Sequence, residues 1–382
     1  MEFKGYKRAD GRYGVRNHVL VVSSVSCANG VVDALGRIFP DIVTVQHAYG
    51  CGYGPDDWGT SFTMLSGLVN HPNVGAVLAI GLGCELLKAE HLTDAVKGKP
   101  AEALVIQQMG SAATTKKGID IIEGFIKQLE GQQRESAPLS ELLVGLKCGG
   151  SDAFSGVTAN PSLGVAADML VGEGAAVVMG EVTEMIGTDH ILKGRCGSPE
   201  LGEKLQKLIL GHEKYVKDAL GELAGLVIAP GNIDGGLSSI TEKSLGCNAK
   251  SGTTPIREVV DYSARPTGKG LIIMDTPGYD IDAMAGMAGG GAQIIVFTTG
   301  RGTPVGFPAV PVIKVSSNSN TFKNMKGDID VNAGSILDAG KTVRDVGREI
   351  FECIVRTAGG GLTSAEVNKS SVFNCLKRGA TF

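Results

Sequence analysis

The sequence predicts an α/β protein of two doubly wound, Rossmann-like units with mostly parallel sheets, and three observations carry that expectation. Short apolar runs alternate with amphipathic stretches, the rhythm of strands buried on both faces and connected by helices. The runs end in glycine, and the 56 Gly among 382 residues are about twice the usual share without Gly-X-Y order or a disordered composition. One polar stretch at 130–139, EGQQRESAPL, breaks the periodicity and divides the chain into 1–135 and 140–382, each long enough to bury its own core.

In the first unit, strands are expected at 19–25, 42–45, 76–80 and 103–106, with helices over 31–38 and 60–69. Ile119, Ile122, Ile126 and Leu129 recur at helical spacing and mark the helix that closes the unit. In the second, strands are expected at 142–146, 175–178, 226–229, 271–274, 293–297 and 310–315. Val343, Val346, Ile350 and Ile354 mark a final helix, whose apolar stripe also takes Cys353.

Charge and composition exclude several classes. Lys+Arg 36 against Asp+Glu 40 gives a net charge of -4, which argues against a nucleic-acid groove or a basic membrane patch. No apolar run is long enough to span a bilayer, and the polar first 18 residues lack the apolar core of a signal peptide. A cytoplasmic protein is expected, so its eight cysteines read as thiols or metal ligands rather than disulfides.

Three apolar runs of the first unit end alike. The run at 19–25 leads to Cys27, that at 42–45 to His47 and Cys51, and that at 76–80 to Gly81-Leu82-Gly83-Cys84-Glu85. Carboxyl ends of parallel strands line the ligand crevice of a doubly wound sheet, so these residues converge on one rim. A cysteine after a buried strand also packs as a small hydrophobe, and no CxxC pair is present. Three at equivalent strand ends point to a thiolate metal site, with His47 and Glu85 as further ligands or acid/base groups.

The second unit opens on Lys147-Cys148-Gly149-Gly150-Ser151-Asp152, a strand followed by a Gly-rich turn that can present backbone N–H groups to an anion. Gly180-Glu181-Val182-Thr183-Glu184 sets two carboxylates after a strand; Gly231-Asn232 and Thr241-Glu242-Lys243-Ser244 follow. Arg301, between Thr299 and Thr303 in a Gly/Thr loop, is placed to clamp a carboxylate bidentately. Together these are an anion cradle (Gly149, Gly150, Ser151, Asn232, Thr299, Arg301) and groups for proton abstraction beside a carboxylate (Glu184, Asp152, Lys243). Neither GxxxxGK[ST], GxSxG nor HExxH occurs, and no glycine cluster completes GxGxxG, which sets a nicotinamide oxidoreductase far behind.

The ordered series GRYGVRNHVLVV, HAYGCGYG, GLGCE, KCGGSDAFSGVTANP, GEVTEM, GNIDGGLSSITEKSLGC and FTTGRGTPVG resembles the altronate/galactarate dehydratase (UxaA-type) family from about Gly5 onward. The resemblance implies a hydro-lyase that dehydrates a sugar acid to a 2-keto-3-deoxy product and requires iron, as a ferrous ion or a cluster. For that reaction the strand-end reading selects Cys51 and Cys84, with Cys27 or His47 beside them, as the expected iron site, and Cys148 as a further candidate whose loop can face the same crevice. The resemblance also implies a small SAF-domain subunit on a separate chain, in an oligomeric assembly. A sibling branch, the (2R)-sulfolactate sulfo-lyases, eliminates sulfite in place of water. HAYGCGYGPDDWG departs from the altronate form, so the substrate stays open between altronate, galactarate and sulfolactate. A non-catalytic assembly subunit is the remaining alternative.

Overall fold

The computed structural model describes residues 1–221 and 228–379. The chain opens with β1 (Glu2–Lys7) and β2 (Tyr13–Gly14). It continues into four parallel strands, β3 (His18–Ser23), β4 (Val43–Val45), β5 (Val74–Gly81) and β6 (Ala101–Val105), in the spatial order β4-β3-β5-β6. Next, β7 (Glu135–Pro138) returns to lie antiparallel to β1, so the small sheet runs β2-β1-β7.

Seven parallel strands follow: β8 (Leu143–Cys148), β9 (Ala176–Met179), β10 (Ile256–Val260), β11 (Gly270–Met274), β12 (Ile294–Thr299), β13 (Val312–Ser316) and β14 (Val331–Asn332). Their spatial order is β10-β11-β9-β8-β12-β13-β14. The expected α/β class with parallel sheets is therefore what the chain adopts.

Strand order determines where ligands can enter. In the smaller sheet the chain winds from β3 to β4 on one side and from β5 to β6 on the other, so the order reverses between β3 and β5. In the larger sheet it winds outward from β8 through β9, then returns to β12 on the opposite flank. Crevices open at such reversals, outside the carboxyl ends of the strands. Cys27 and Cys84 follow β3 and β5; the Gly149–Ser151 turn and Arg301 follow β8 and β12.

Strand alternation divides the core. Ile294 and Val296 face the helices Ala159–Gly172 and Val343–Ala358, whereas Ile295 and Phe297 join the layer holding the helix Asp280–Gly289. That layer continues through the helix Pro55–Val69 to Leu20, Val22 and Val77 of the smaller sheet. Burying a side chain such as Phe297, fully enclosed here, contributes about 1.5–3 kcal/mol. Cys353 lies buried on the inner face of its helix, as its spacing predicts.

Two stretches differ in local structure from what the sequence pattern suggests. The polar stretch 130–139 contains β7, whose pairing with β1 ties it to the amino-terminal segment. Of the strand expected at 226–229, residues 226 and 227 lie outside the described residues, and Ala229 caps the short helix Pro230–Asp234. The strands β1, β2, β7, β10 and β14 have too few apolar residues in a row to stand out as runs.

Candidate active site

Backbone hydrogen bonds stitch the loops after β3, β4 and β5 together. Ser26 N donates to Tyr49 O at 2.8 Å, and Leu86 N donates to Gly50 O at 3.2 Å. Gly50 makes this approach possible: its φ is +118°, and a Cβ there would lie 2.5 Å from Val25 Cα. Cys27, Cys51 and Cys84 all stand exposed on this rim. Burial raises the Cys51 thiol pKa, and the neighbouring Cys84 and Cys27 sulfurs push it the same way.

His47 is enclosed behind the loop, with both ring nitrogens engaged: Nε2 meets Ser23 O at 3.0 Å, and Nδ1 accepts from Tyr49 N at 3.3 Å. Burial lowers its pKa to about 4, so it is a neutral brace for the rim. Glu85 is similarly engaged, accepting from Ser24 Oγ at 2.9 Å and from the Leu82 and Gly83 amides.

At the larger sheet, β8 and β12 pair Cys148 with Thr298, and their loops then clasp one another. Gly300 N and Arg301 N both donate to Gly150 O, at 3.1 and 2.9 Å, and Gly150 adopts φ +58°, a left-handed conformation suited to glycine. Asp152 fixes the surroundings: its Oδ1 accepts from Ser155 N and Oγ and from Ser317 Oγ, and its Oδ2 accepts from Asn318 Nδ2 at 3.0 Å. Asn232 Nδ2 donates to Ser151 O at 2.9 Å, whereas Ser151 Oγ is buried without a hydrogen-bond partner. Thr299 Oγ1 accepts from Gly302 N, and Arg301 is exposed at the mouth of the turn.

Directly below this turn lies a buried group of charges. Glu181 Oε1 pairs with Lys147, which also reaches Asp280 Oδ1 at 2.7 Å. Lys250 Nζ sits 3.0 Å from Cys148 Sγ, 3.1 Å from Glu181 Oε2 and 3.5 Å from Glu184 Oε2. Glu184 accepts from Cys148 Sγ at 2.9 Å and pairs with Lys243 Nζ at 2.8 Å. Cys247 Sγ lies 3.2 Å from Cys148 Sγ. Three ammonium groups thus face three carboxylates, and buried charge is tolerated only when balanced and hydrogen-bonded in this way. Glu181 itself adopts a left-handed backbone (φ 67°, ψ 58°), held by Thr276: its N donates to Thr276 Oγ1 at 2.6 Å.

The environment separates the two glutamates. Burial opposes the charged form of both, but Lys243, Lys250 and Lys147 override it at Glu184 and hold that carboxyl well below its ordinary range. At Glu181, burial and the charge of Glu184 prevail over Lys147 and Lys250, and the pKa rises. A carboxylate pair driven apart is a common arrangement for acid/base work.

Cys148, Glu184 and Cys247 bring one donor atom each within 4.8 Å of one another, so they can hold a metal ion; they are the only such trio among the described residues. Two thiolates and a carboxylate suit a soft or borderline ion, and a dication that displaced two thiol protons would leave the charge balance unchanged. The sulfurs of Cys27, Cys51 and Cys84 do not all come within 4.8 Å of one another.

Of the residues expected from sequence, Cys148, Glu184 and Lys243 are in direct contact, and Gly149–Ser151, Asp152, Thr299 and Arg301 border them. Glu181, the other carboxylate of that strand-end pair, completes the group with Lys147, Cys247, Lys250 and Asp280, none of which the sequence marked for a role. Lys243 and Cys247 are four apart on the helix Ile240–Asn248, and Lys250 follows at a further helical turn. That spacing puts them on one face and is the signal available in sequence.

Both parallel-sheet regions match models of known families. Residues 5–130 match the second domain of D-galactarate dehydratase/altronate hydrolase, and residues 139–381 match the C-terminal region of D-galactarate/altronate dehydratase. The chain is 35% identical to altronate dehydratase of Bacillus subtilis (strain 168), over 99% of its own length and 78% of that protein's. It is 38% identical to galactarate dehydratase (L-threo-forming) of Escherichia coli (strain K12), over 94% of the chain and 73% of that protein. With the (2R)-sulfolactate sulfo-lyase subunit beta of Chromohalobacter salexigens it shares 33% identity, over 95% of the chain and 94% of the relative. Matches of this extent, covering the loops that build both rims, place the chain in the D-galactarate/altronate dehydratase family.

Proposed function

We propose that the chain is the large subunit of an iron-dependent hydro-lyase that converts a sugar acid of the altronate or galactarate type to its 2-keto-3-deoxy product. The observation that carries this reading is the Glu184–Lys243 pair. It sits at the partly open edge of a buried, charge-balanced group, beneath a turn whose Ser151 hydroxyl lacks a partner.

Dehydration requires removal of a weakly acidic proton α to a carboxylate and departure of a β-hydroxyl. In this reading the substrate carboxylate meets Ser151 Oγ, the Gly149–Gly150 turn with Asn232 behind it, Thr299 and Arg301. A bound carboxylate that shares Lys243 and Lys250 draws them from Glu184, which makes Glu184 a better proton acceptor. Lys243 then donates to the departing hydroxyl, and the remaining ammonium groups stabilise the enediolate. Asp152, with its carboxylate fully hydrogen-bonded, positions the loops.

For iron, the accessible sulfurs of Cys27, Cys51 and Cys84 are the proposed ligands. Exposed thiols leave a position open toward substrate, and their wide spacing favours a cluster over a single ion. His47, with both nitrogens engaged, braces that set from behind, whereas the Cys148 group is already crowded by lysines. Bound there, iron would act as a Lewis acid on the substrate's oxygens.

The subunit name of the sulfo-lyase relative supports a multi-subunit enzyme, and a small SAF-domain chain is the partner we propose. No described helix is long and apolar enough to cross a membrane; a cytoplasmic location agrees with that and is part of the proposal. The test is anaerobic purification with the small subunit, iron analysis, and assay of altronate, galactarate and (2R)-sulfolactate for 2-keto product or sulfite. Keto-deoxy product with iron bound, and iron lost in Cys51→Ser but retained in Cys148→Ser, is the expected result. Sulfite as the sole product moves the chain to the sulfo-lyase activity, and absence of iron overturns the metal assignment.

A further inference from the structure

Beside the Glu181–Glu184 loop, a cleft of about 640 Å³ opens between the helix Pro199–Leu220, the end of β11 and the carboxy-terminal tail. Its wall carries Lys204, Lys207, His212, Lys377 and Arg378, against a single carboxylate, Asp275. Asp275 is already engaged, its Oδ1 lying 2.7 Å from His212 Nε2. Lys204 donates to Val259 O at 2.6 Å, and Lys377 donates to Gly379 O at 2.6 Å and pairs with Asp57 Oδ2 at 3.6 Å, so neither charge is free for a ligand. Among the described residues, the charged ends of Lys207 and Arg378 make no salt bridge or hydrogen bond. Against the opposing effect of burial, the Arg378 charge reaches Asp275 only at longer range, lowering its pKa after the His212 contacts.

The tail that brings Arg378 here is firmly fastened. Asn374 Nδ2 donates to Asp282 Oδ1 at 2.6 Å, Cys375 Sγ lies 3.2 Å from Ser61 Oγ, and the Arg378 and Gly379 amides donate to the buried Asp57 carboxylate. An acidic cleft with Asp56, Asp57 and Asp261 adjoins on the other side of the tail, sharing Asp275 and Arg378 with the first. Arg378 and Asp275 thus belong to both clefts, and the tail carries the guanidinium to the line where they meet. Thr183, one residue before Glu184, forms part of the cationic wall.

The geometry points to this cleft as a carboxylate-binding subsite in which Lys207 and Arg378 receive a small organic acid. Apolar neighbours, Leu208 and Leu376, lower the local dielectric and strengthen a charge-assisted bond to the guanidinium. Two sources share this chemistry: the remote carboxylate of a dicarboxylic sugar acid bound at the active site, or a separate small acid. The first rests on the dehydratase reading above and makes the substrate a diacid; the second does not.

Isothermal titration of the full chain distinguishes them, with galactarate as diacid, galactonate as monoacid and succinate as a non-reacting probe. The expected result is about 10-fold tighter binding of galactarate than of galactonate, the difference vanishing in Lys207→Gln and Arg378→Gln with unchanged near-UV circular dichroism. Succinate that competes with galactonate, with affinity lost in Arg378→Gln, assigns the subsite to the substrate's far end; succinate that binds alongside it with the same loss assigns the subsite to a separate acid. Unaltered affinity for all three probes in both variants overturns the subsite. Turnover is followed on the same samples: dehydration with neither a diacid preference nor succinate binding that depends on Lys207 and Arg378 removes the subsite alone, and the binding pattern without turnover removes the dehydratase reading alone.

Discussion

Cys148 and Cys247 hold their sulfurs 3.2 Å apart, in a region almost closed to water, although 98 residues separate them in the chain. Their hydrogen bond and burial drive the Cys247 pKa well above that of a free thiol, so it stays protonated near neutral pH. Iodoacetamide at neutral pH should therefore modify Cys27, Cys51 and Cys84 in the native metal-free chain. Cys148 and Cys247 should react only after denaturation. Peptide mapping by mass spectrometry reads the pattern, and native labelling of Cys247 would contradict the closed arrangement.

Lys250 gives a sharper test of the charge balance. Removing its ammonium leaves Glu181 and Glu184 sharing fewer cations in a dry environment, and breaking a buried pair in this way costs about 3–5 kcal/mol. Lys250→Met should lose on that order at pH 7 in urea unfolding. The variant's carboxyls should take up protons more readily, raising their folded-state pKa. The deficit relative to the parent should therefore shrink as the pH is lowered toward 5. A deficit independent of pH would assign the loss to packing.

The pH dependence of the parent should be dominated at first by histidine. Burial lowers His47 to about 4 and His71 to about 3 from the usual 6.5, and their backbone hydrogen bonds only partly oppose this. The unfolded chain consequently binds more protons below about pH 6.5. The histidines' contribution to stability is fully present above that pH and declines as the pH falls toward the folded values, by on the order of 3 kcal/mol per histidine. His71 Nε2 meets Ala292 O at 3.0 Å, joining the turn after the helix Pro55–Val69 to the larger sheet. His71→Gln should keep a donor there and flatten the decline between pH 6.5 and 4.5, measured by chemical denaturation across that range.

Much of this arrangement was legible in the sequence. Parallel strands buried on both faces leave uninterrupted apolar runs, which is why β3, β5, β8, β12 and β13 stand out. The glycines and cysteines that follow them mark the strand-end rims. Edge strands leave a weaker trace: β10 reads IREVV, and β7 includes a proline. The charge group was half visible for another reason. Glu184 and Lys243 lie in polar motifs that attract attention, whereas Lys250 and Cys247 gain their meaning from a helix packing beneath β8, a contact that no local pattern encodes.

Asp152 separates positioning from proton transfer. Its Oδ1 accepts three hydrogen bonds and its Oδ2 accepts one from Asn318 Nδ2, joining the loops after β8 and β13; a Cβ on Gly300 would lie 2.3 Å from its carboxyl carbon. In Asp152→Asn the new amide must either face the Asn318 donor or displace the Ser155 and Ser317 donors. One buried bond is lost in the first case and up to three in the second, at about 1–3 kcal/mol each. The Gly149–Ser151 turn and Arg301 loosen together as a result. We expect KM for the sugar acid to rise about 10-fold or more, with the shape of the kcat pH profile retained, because the proton-transferring groups are untouched. Loss of the acidic limb of that profile in steady-state assays would instead place Asp152 itself among the groups that move the proton.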